Sequence, residues 1–533
     1  MAALNTWAAR PPENSNALRA ALILMAVGAV VLRLHVFAGG RSLWVDEAMV
    51  AISLIYLPFS GLFGDLPLLQ MAPVAWLLAE RLIFEIWPST NFGLRIVSLV
   101  GGLLSVWAFA SLARSALPPA VAVFFVASLA ISPEAIRYSA MVKPYIWDLA
   151  VGCLIMLSGI LMLRENAGKR EMSYFLALGS FAVLFTFGAL IVLASTGLIL
   201  ATQRYASKQR GDLLILAVVG FAWVLIAMAQ YIAFYAGQAV SEMQDAWNGG
   251  FGPPPLSISG LSWYVSAAKA ILWFFFERIS FASLIIAMIL GAWYLLRTNP
   301  WLLALCMGPF VIALAASFAH AYPLAPRLHF ALLPVALLLA SFGLIWLSLQ
   351  SKPGLVGACL LAALGLGPQL VETLNEAMLD PPWATEEADA NLAIIASRAT
   401  SRDTIIVTPV AEYALLIYAS DLELAPTKYV VTSDRDDDMQ CAGIGLDALP
   451  NRGTAWFLTY HERHTRPMTA AYLRQLSQRG RVTLVSSPPG SALYRVRLLA
   501  QQQSDASTGP CRDRESRPLL RSIAAKVGLR ALN

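Results

Sequence analysis

The sequence predicts an α-helical polytopic membrane protein with a C-terminal α/β domain. Three observations predict it. Of 533 residues, 58% are hydrophobic and only 13% charged, against about 25% charged in ordinary soluble proteins. Apolar runs of roughly 20 residues, the length that crosses a bilayer, recur from position 17 to position 371. After about position 372 they give way to alternating helix-like and strand-like stretches.

The first run is residues 17–38. Met1–Ala17 lacks the small-residue cleavage site that follows a short apolar core in a signal peptide, so this run reads as a retained anchor. Arg10 and Arg19 ahead of it favour a cytoplasmic N-terminus. Arg33 and His35 fall near its outer end and either snorkel to the headgroups or meet a phosphate. Residues 39–71 form an outer loop holding Asp46 and Glu47. Residues 72–87 carry Glu80, Arg81 and Glu85, are short for a span, and read as an amphipathic helix lying flat at the outer interface.

With that helix flat, 95–113 runs inward to Arg114 and 117–132 runs outward, so Ser132–Asp148 emerges on the side of Asp46. Residues 146–163 return to Arg164, Lys169 and Arg170. Residues 172–202 make two short spans with a turn near Thr186–Gly188, followed by Arg204, Lys208 and Arg210. The run 212–236 leads to an outer loop in which Trp247–Pro255, rich in glycine and proline, predicts an ordered turn. Residues 260–277 read as a second flat helix. Residues 279–297, 300–318, 329–349 and 354–371 then alternate across the bilayer, giving about eleven spans by run length. Cations cluster in the inner loops, as the positive-inside rule asks.

Residues 1–371 are thus expected to form the membrane domain, 372–500 a periplasmic α/β domain, and 501–533 a disordered polar tail. The α/β reading rests on helix-like 386–399, 410–420 and 468–478 alternating with strand-like Thr404–Thr408, Thr454–Thr459, 481–486 and 492–498. The acidic run Ser433–Asp438 is a solvated loop or a cation site. His461-Glu462-Arg463-His464 lacks the metalloprotease spacing. The five cysteines form no metal or disulfide framework, although Cys441 and Cys511 could pair outside the membrane. A net charge of +5 without a long basic run argues against nucleic acid as a partner.

This topology gathers Asp46, Glu47, Asp65, Arg137, Lys143, Asp148 and Arg327 at the outer membrane edge. Charge near hydrocarbon costs about 2.5–3.5 kcal/mol per residue on insertion scales, so such residues usually have a task. Arginine grips phosphate oxygens by bidentate contact and lysine as a point charge. A carboxylate of matched pKa can take a proton from an acceptor hydroxyl. The set therefore suits an anionic lipid headgroup and a hydroxyl or amine acceptor. No nucleotide-sugar pool exists outside the inner membrane, so a group transferred there must arrive on a lipid. Asp46 could also be an ion-pair partner of Arg41, Glu47 a solvated neighbour, and Lys143 and Tyr145 interface anchors.

Several stretches, in order, carry a resemblance. They are Arg33, then Ser42-Leu43-Trp44-Val45-Asp46-Glu47-Ala48, Gln70-Met71-Ala72-Pro73 and Asn91-Phe92-Gly93-Leu94-Arg95. Ser132-Pro133 to Arg137-Tyr138, Lys143-Pro144-Tyr145 with Asp148, and Tyr322-Pro323 to Arg327 with Pro334 complete the set. Covering about two-thirds of the chain, it resembles the GT-C superfamily of membrane glycosyltransferases, in the branch of the lipid A aminoarabinose transferase and the protein mannosyltransferases. The resemblance implies inverting transfer of a sugar from a polyprenyl-phosphate carrier at the periplasmic face of the bacterial inner membrane, onto a lipid, glycan or protein acceptor. It makes Asp46 the catalytic base, with Glu47 and Asp148 as further acidic site residues. Lys143, Arg327, Arg137 and Tyr145 would then meet the donor phosphate, and Gln70, Trp44 and Tyr322 the substrates. Some relatives use a divalent metal such as Mg²⁺ or Mn²⁺, which the carboxylates could hold. The chain departs from the pattern twice: Gln70-Met71 stands where the aminoarabinose branch has a lysine, and the span near Thr186-Phe187 lacks a histidine.

Two other classes compete. A transporter or flippase of an anionic lipid or lipid-linked sugar would show internal repeats and mid-membrane polar residues, whereas these charges sit at one edge. An outward-facing scaffold binding a partner through the C-terminal domain leaves the edge charges without a role.

Overall fold

A computed structural model describes residues 15–237, 245, 247–254, 257–276, 278–419, 421–425, 428–432, 446–499 and 518–532. Cys441, Cys511 and the acidic run 433–438 lie outside the described residues. By contact the chain divides into two units. One comprises Met1–Gly39, Pro58–Ile86 and Arg95–Pro382; the other comprises Gly40–Leu57, Trp87–Leu94 and Trp383–Asn533. The outer loop bearing Asp46 thus belongs with the C-terminal residues.

The first unit is helical. Among the described residues ten helices are long and apolar enough to cross a membrane, from Asn16–Ala38 to Lys352–Ala377. Two of the eleven expected spans are not among these ten: Lys169–Phe185, of 17 residues, and Pro119–Ala130, of 12, or about 18 Å at the helical rise. Prolines shorten the latter: Pro118-Pro119 open it, and Pro133 starts the next short helix, Pro133–Tyr138. Val74–Ile86, expected to lie flat, has 13 residues, about 20 Å. Ile258–Phe275, expected flat, is 18 residues long and apolar enough to cross.

Burial separates the spans. Pro326–Gln350 and Tyr145–Met162 are mostly buried and make the centre of this unit, whereas Arg210–Tyr235 is mostly exposed and presents apolar side chains such as Phe221 and Ile232 outward. Helices Arg278–Thr298 and Leu333–Gln350 touch backbone to backbone. A Cβ on Gly291 would run into the Leu339 carbonyl, and one on Gly343 into the Ala287 carbonyl. Small residues allow such approach where lipid supplies no hydrophobic drive between helices. Arg33 neither snorkels nor reaches out for a phosphate. It is fully buried, donating to the carbonyls of Ala29 at 3.0 Å and Leu129 at 3.4 Å.

The second unit is built on a six-stranded sheet, in the order β4-β5-β3-β1-β2-β6. The strands are β1 (Thr404–Val407), β2 (Lys428–Val431), β3 (Gly453–Tyr460), β4 (Gly480–Ser486), β5 (Ser491–Leu498) and β6 (Arg530–Ala531). β3, β1, β2 and β6 run parallel, and β5 and β4 add an antiparallel edge. The run Thr404-Ile405-Ile406-Val407 is wholly buried, as a parallel strand covered on both faces demands. Helix Ala411–Tyr418 makes the β1–β2 crossover. Helix Glu462–Arg479 covers one face through Met468, Tyr472 and Leu476, which join Ile406, Val430, Phe457 and Val496 in one core.

The expectation of a disordered tail fails for residues 518–532. Helix Pro518–Lys526 buries Leu520, Ile523 and Ala524, one face at helical spacing. β6 then pairs in parallel with β2, Arg530 opposite Lys428 and Ala531 opposite Tyr429. The polar run before Pro518 hides this short amphipathic signal.

Candidate active site

In the second unit, helix Val45–Tyr56 starts directly at the acidic pair. Asp46 and Trp44 are half-buried, while Glu47 is fully buried. Glu47 Oε2 accepts from Arg41 Nη1 at 3.2 Å and from the Trp44 backbone N–H at 3.3 Å. A glutamate at the third helical position reaching back to the cap N–H is half of a capping box. Arg41 therefore pairs with Glu47, and the geometry gives Glu47 the work of holding the helix start. Negative charge in this first turn also suits the helix dipole, and Asp46 is its more exposed carboxylate.

In the first unit, Gln70 and Lys143 meet, Lys143 Nζ donating to Gln70 Oε1 at 2.9 Å, both side chains buried. Gln70 follows two leucines in the left-handed region, Leu68 at φ +62° and Leu69 at φ +53°. Backbone strain of this kind, about 1–3 kcal/mol per residue, collects at functional sites. Lys143 is fixed from behind as well, its carbonyl accepting from Ser98 Oγ at 3.2 Å.

Arg137 sits on the short helix Pro133–Tyr138, 3.8 Å from Glu134. Burial raises the Glu134 carboxyl above its ordinary range, and Arg137 draws it back. Tyr145 packs edge-on to Tyr138 at 5.6 Å, and Tyr138 packs likewise on Phe330 at 4.9 Å. The Arg327 guanidinium lies over the Trp247 ring at 5.3 Å, a cation–π contact. Tyr322 donates to the Leu328 carbonyl at 3.1 Å. Trp247 was legible as part of an ordered turn; its partnership with Arg327 was not.

Asp148 is buried, and its Oδ1 accepts from three successive backbone N–H groups: Phe187 at 3.1 Å, Gly188 at 2.9 Å and Ala189 at 3.3 Å. These open helix Ala189–Ala206, whose first N–H groups have no partners within the helix. The carboxylate thus stabilises the break between Lys169–Phe185 and Ala189–Ala206 that the sequence places at Thr186–Gly188. Among the described residues no group of three or more His, Cys, Asp or Glu side chains is gathered closely enough to hold a metal ion.

No family model matches the chain, and no curated protein does. Solved structures do. ArnT from Cupriavidus metallidurans bound to undecaprenyl phosphate superposes with a TM-score of 0.52 at 14% identity, covering 90% of this chain and 99% of that one. Its apo form gives 0.52 at 12% identity with the same coverage. The Archaeoglobus fulgidus oligosaccharyltransferase in complex with Zn and sulfate gives 0.50 at 14% identity, over 88% of this chain and 73% of that one. The chain has the fold of the GT-C membrane glycosyltransferases.

Proposed function

We propose that this protein is a membrane glycosyltransferase that moves a sugar from a polyprenyl-phosphate carrier to a lipid, glycan or protein acceptor at the periplasmic face of the inner membrane. One observation carries the reading: a fold match along 90% of the chain to a protein bound to undecaprenyl phosphate. The placement of Asp46, half-exposed beside a fully committed Glu47, supports it further.

In the proposed reaction an acceptor hydroxyl attacks the anomeric carbon while the bond from that carbon to the phosphate oxygen breaks. One displacement inverts the anomeric centre. The hydroxyl proton passes to Asp46, a step worth about 10²–10⁴-fold. Polyprenyl phosphate departs with its charge held by Lys143, Arg327 and Arg137, arginine by paired N–H donors and lysine as a compact charge. Gln70 orients Lys143, and Trp44, Tyr145 and Tyr322 line the substrates. Glu47 and Asp148 serve as anchors of backbone N–H groups.

The test is release of free polyprenyl phosphate from a labelled polyprenyl-phosphate sugar by the purified protein in lipid nanodiscs. Release with acceptor present, and its loss in Asp46→Asn, is the expected result. Movement of intact donor between leaflets without release would mark a flippase instead.

A further inference from the structure

Four consecutive backbone N–H groups precede Asp46, and each is taken by a side chain. Trp44 is served by Glu47, as described. The other three acceptors come from the C-terminal part of the same unit. Ser42 N–H donates to Glu387 Oε2 at 2.9 Å, Leu43 N–H to Tyr418 Oη at 2.8 Å, and Val45 N–H to Glu386 Oε2 at 2.9 Å. Tyr460 Oη donates to the Leu43 carbonyl. Ser42 Oγ accepts from the Asp389 N–H at 3.0 Å.

The acceptors are themselves held. Glu386 Oε1 pairs with His461 Nδ1, and His461 stands in the left-handed region at φ +61°, opening helix Glu462–Arg479. The Glu387 N–H donates to the Pro489 carbonyl at 2.9 Å. Gly490, at φ +66°, lies so close that a Cβ there would strike the Thr385 carbonyl and the Glu386 side chain. Tyr418 Oη donates onward to Asn91 Oδ1 at 2.7 Å, and Asn91 Nδ2 to Asp389 Oδ2 at 2.9 Å. The clamp therefore joins residues 40–57, 87–94 and the sheet.

We propose that Glu386 and Glu387, with Tyr418, are positioning residues that hold the backbone immediately before Asp46 and so set where its carboxylate stands. The inference rests on reading Asp46 as the base. Its physical content is simple. The Trp44 and Val45 N–H groups, at the helix start, have no intrahelical partners, and leaving the buried Ser42 and Leu43 N–H groups unmade is costly. Their acceptors therefore decide the path of the chain into the first turn. Asp46 lies one residue beyond the last clamped N–H, so a shift of that segment moves the carboxylate directly. Misplacement of a catalytic group by about 1 Å can cost about a hundredfold in rate.

The experiment uses the full-length protein in nanodiscs and two readouts, steady-state turnover and amide hydrogen exchange read on peptides covering residues 41–48. In Glu386→Leu/Glu387→Leu, and separately in Tyr418→Phe, exchange at 41–48 rises while β1 and β3 stay protected. In the double variant kcat falls about a hundredfold while the donor KM changes by no more than a few-fold, since the proposed phosphate contacts Lys143, Arg327 and Arg137 are untouched. Glu386→Gln/Glu387→Gln keeps an acceptor oxygen at each place and stays close to wild type on both readouts. Unchanged exchange at 41–48 in the variants that keep β1 and β3 protected overturns the proposal, as does unchanged kcat despite faster exchange. Asp46→Asn is assayed alongside. If it turns over normally, the base reading falls and the positioning role with it; if it is inactive while the leucine variant is unimpaired, only the clamp falls.

Discussion

Lys143 donates from Nζ to Gln70 Oε1 across 2.9 Å, joining residues 73 positions apart in a buried contact. This chain carries Gln70-Met71 at the place where the resemblance expects a lysine, so a neutral amide stands beside the Lys143 cation. Under the proposed function this contact presets the ammonium for the donor phosphate. Lys143→Ala is expected to raise the donor KM about ten- to a hundredfold, since a charged hydrogen bond is worth about 1.5–3 kcal/mol. Thermal stability in detergent should change little by comparison. Initial rates over a range of donor concentrations check it.

Asp46→Asn is expected to keep the thermal midpoint and lower kcat about 10²–10⁴-fold. The asparagine retains shape and an acceptor oxygen but takes no proton. Turnover with melting curves on the same preparation decides it; a stable variant with near-normal turnover would remove Asp46 from the chemistry.

Asp148 is expected to divide two substitutions. Asp148→Leu removes the acceptor of the Phe187, Gly188 and Ala189 N–H groups and should cost at least about 1.5–3 kcal/mol of stability. Asp148→Asn keeps an oxygen and should cost less. The order of melting temperatures in one detergent tests the anchoring role, and equal losses would contradict it.

Gly343→Leu is expected to destabilise the membrane unit by about 1–3 kcal/mol or more, because the Ala287 carbonyl occupies the space a side chain needs. A leucine at Gly357, where a Cβ meets nothing within 4 Å, is the matched control. Thermal aggregation of the two variants compares them directly.

Much of this architecture is legible in the residues. Apolar run length gives the spans, and the Thr186–Gly188 break shows as a turn inside a run too long for one crossing. β1 and β3 are written as short β-branched and aromatic stretches. The rest is decided by partners far along the chain. β6 is two residues long and exists because β2 offers an edge. The Arg41–Glu47 pair escaped because a tryptophan occupies the cap position, which masks the capping box. Glu386 and Glu387 read as the start of the helix-like stretch 386–399 but stand just ahead of helix Ala388–Arg398, and their tasks follow from N–H groups 341 and 345 residues earlier.

That separation has a consequence for biogenesis. Ser42 emerges from the ribosome 345 residues before Glu387 does, and strand β5, whose Ser491 abuts the Pro488–Gly490 turn behind Glu387, comes later still. Until those residues are made, the Ser42, Leu43 and Val45 N–H groups have none of their distant acceptors, and only Trp44 has its own, Glu47, close by in the chain. Assembly of the loop bearing Asp46 is postponed to the final stage of synthesis, so a nascent chain stalled in the membrane helices carries every proposed phosphate contact but an unanchored aspartate.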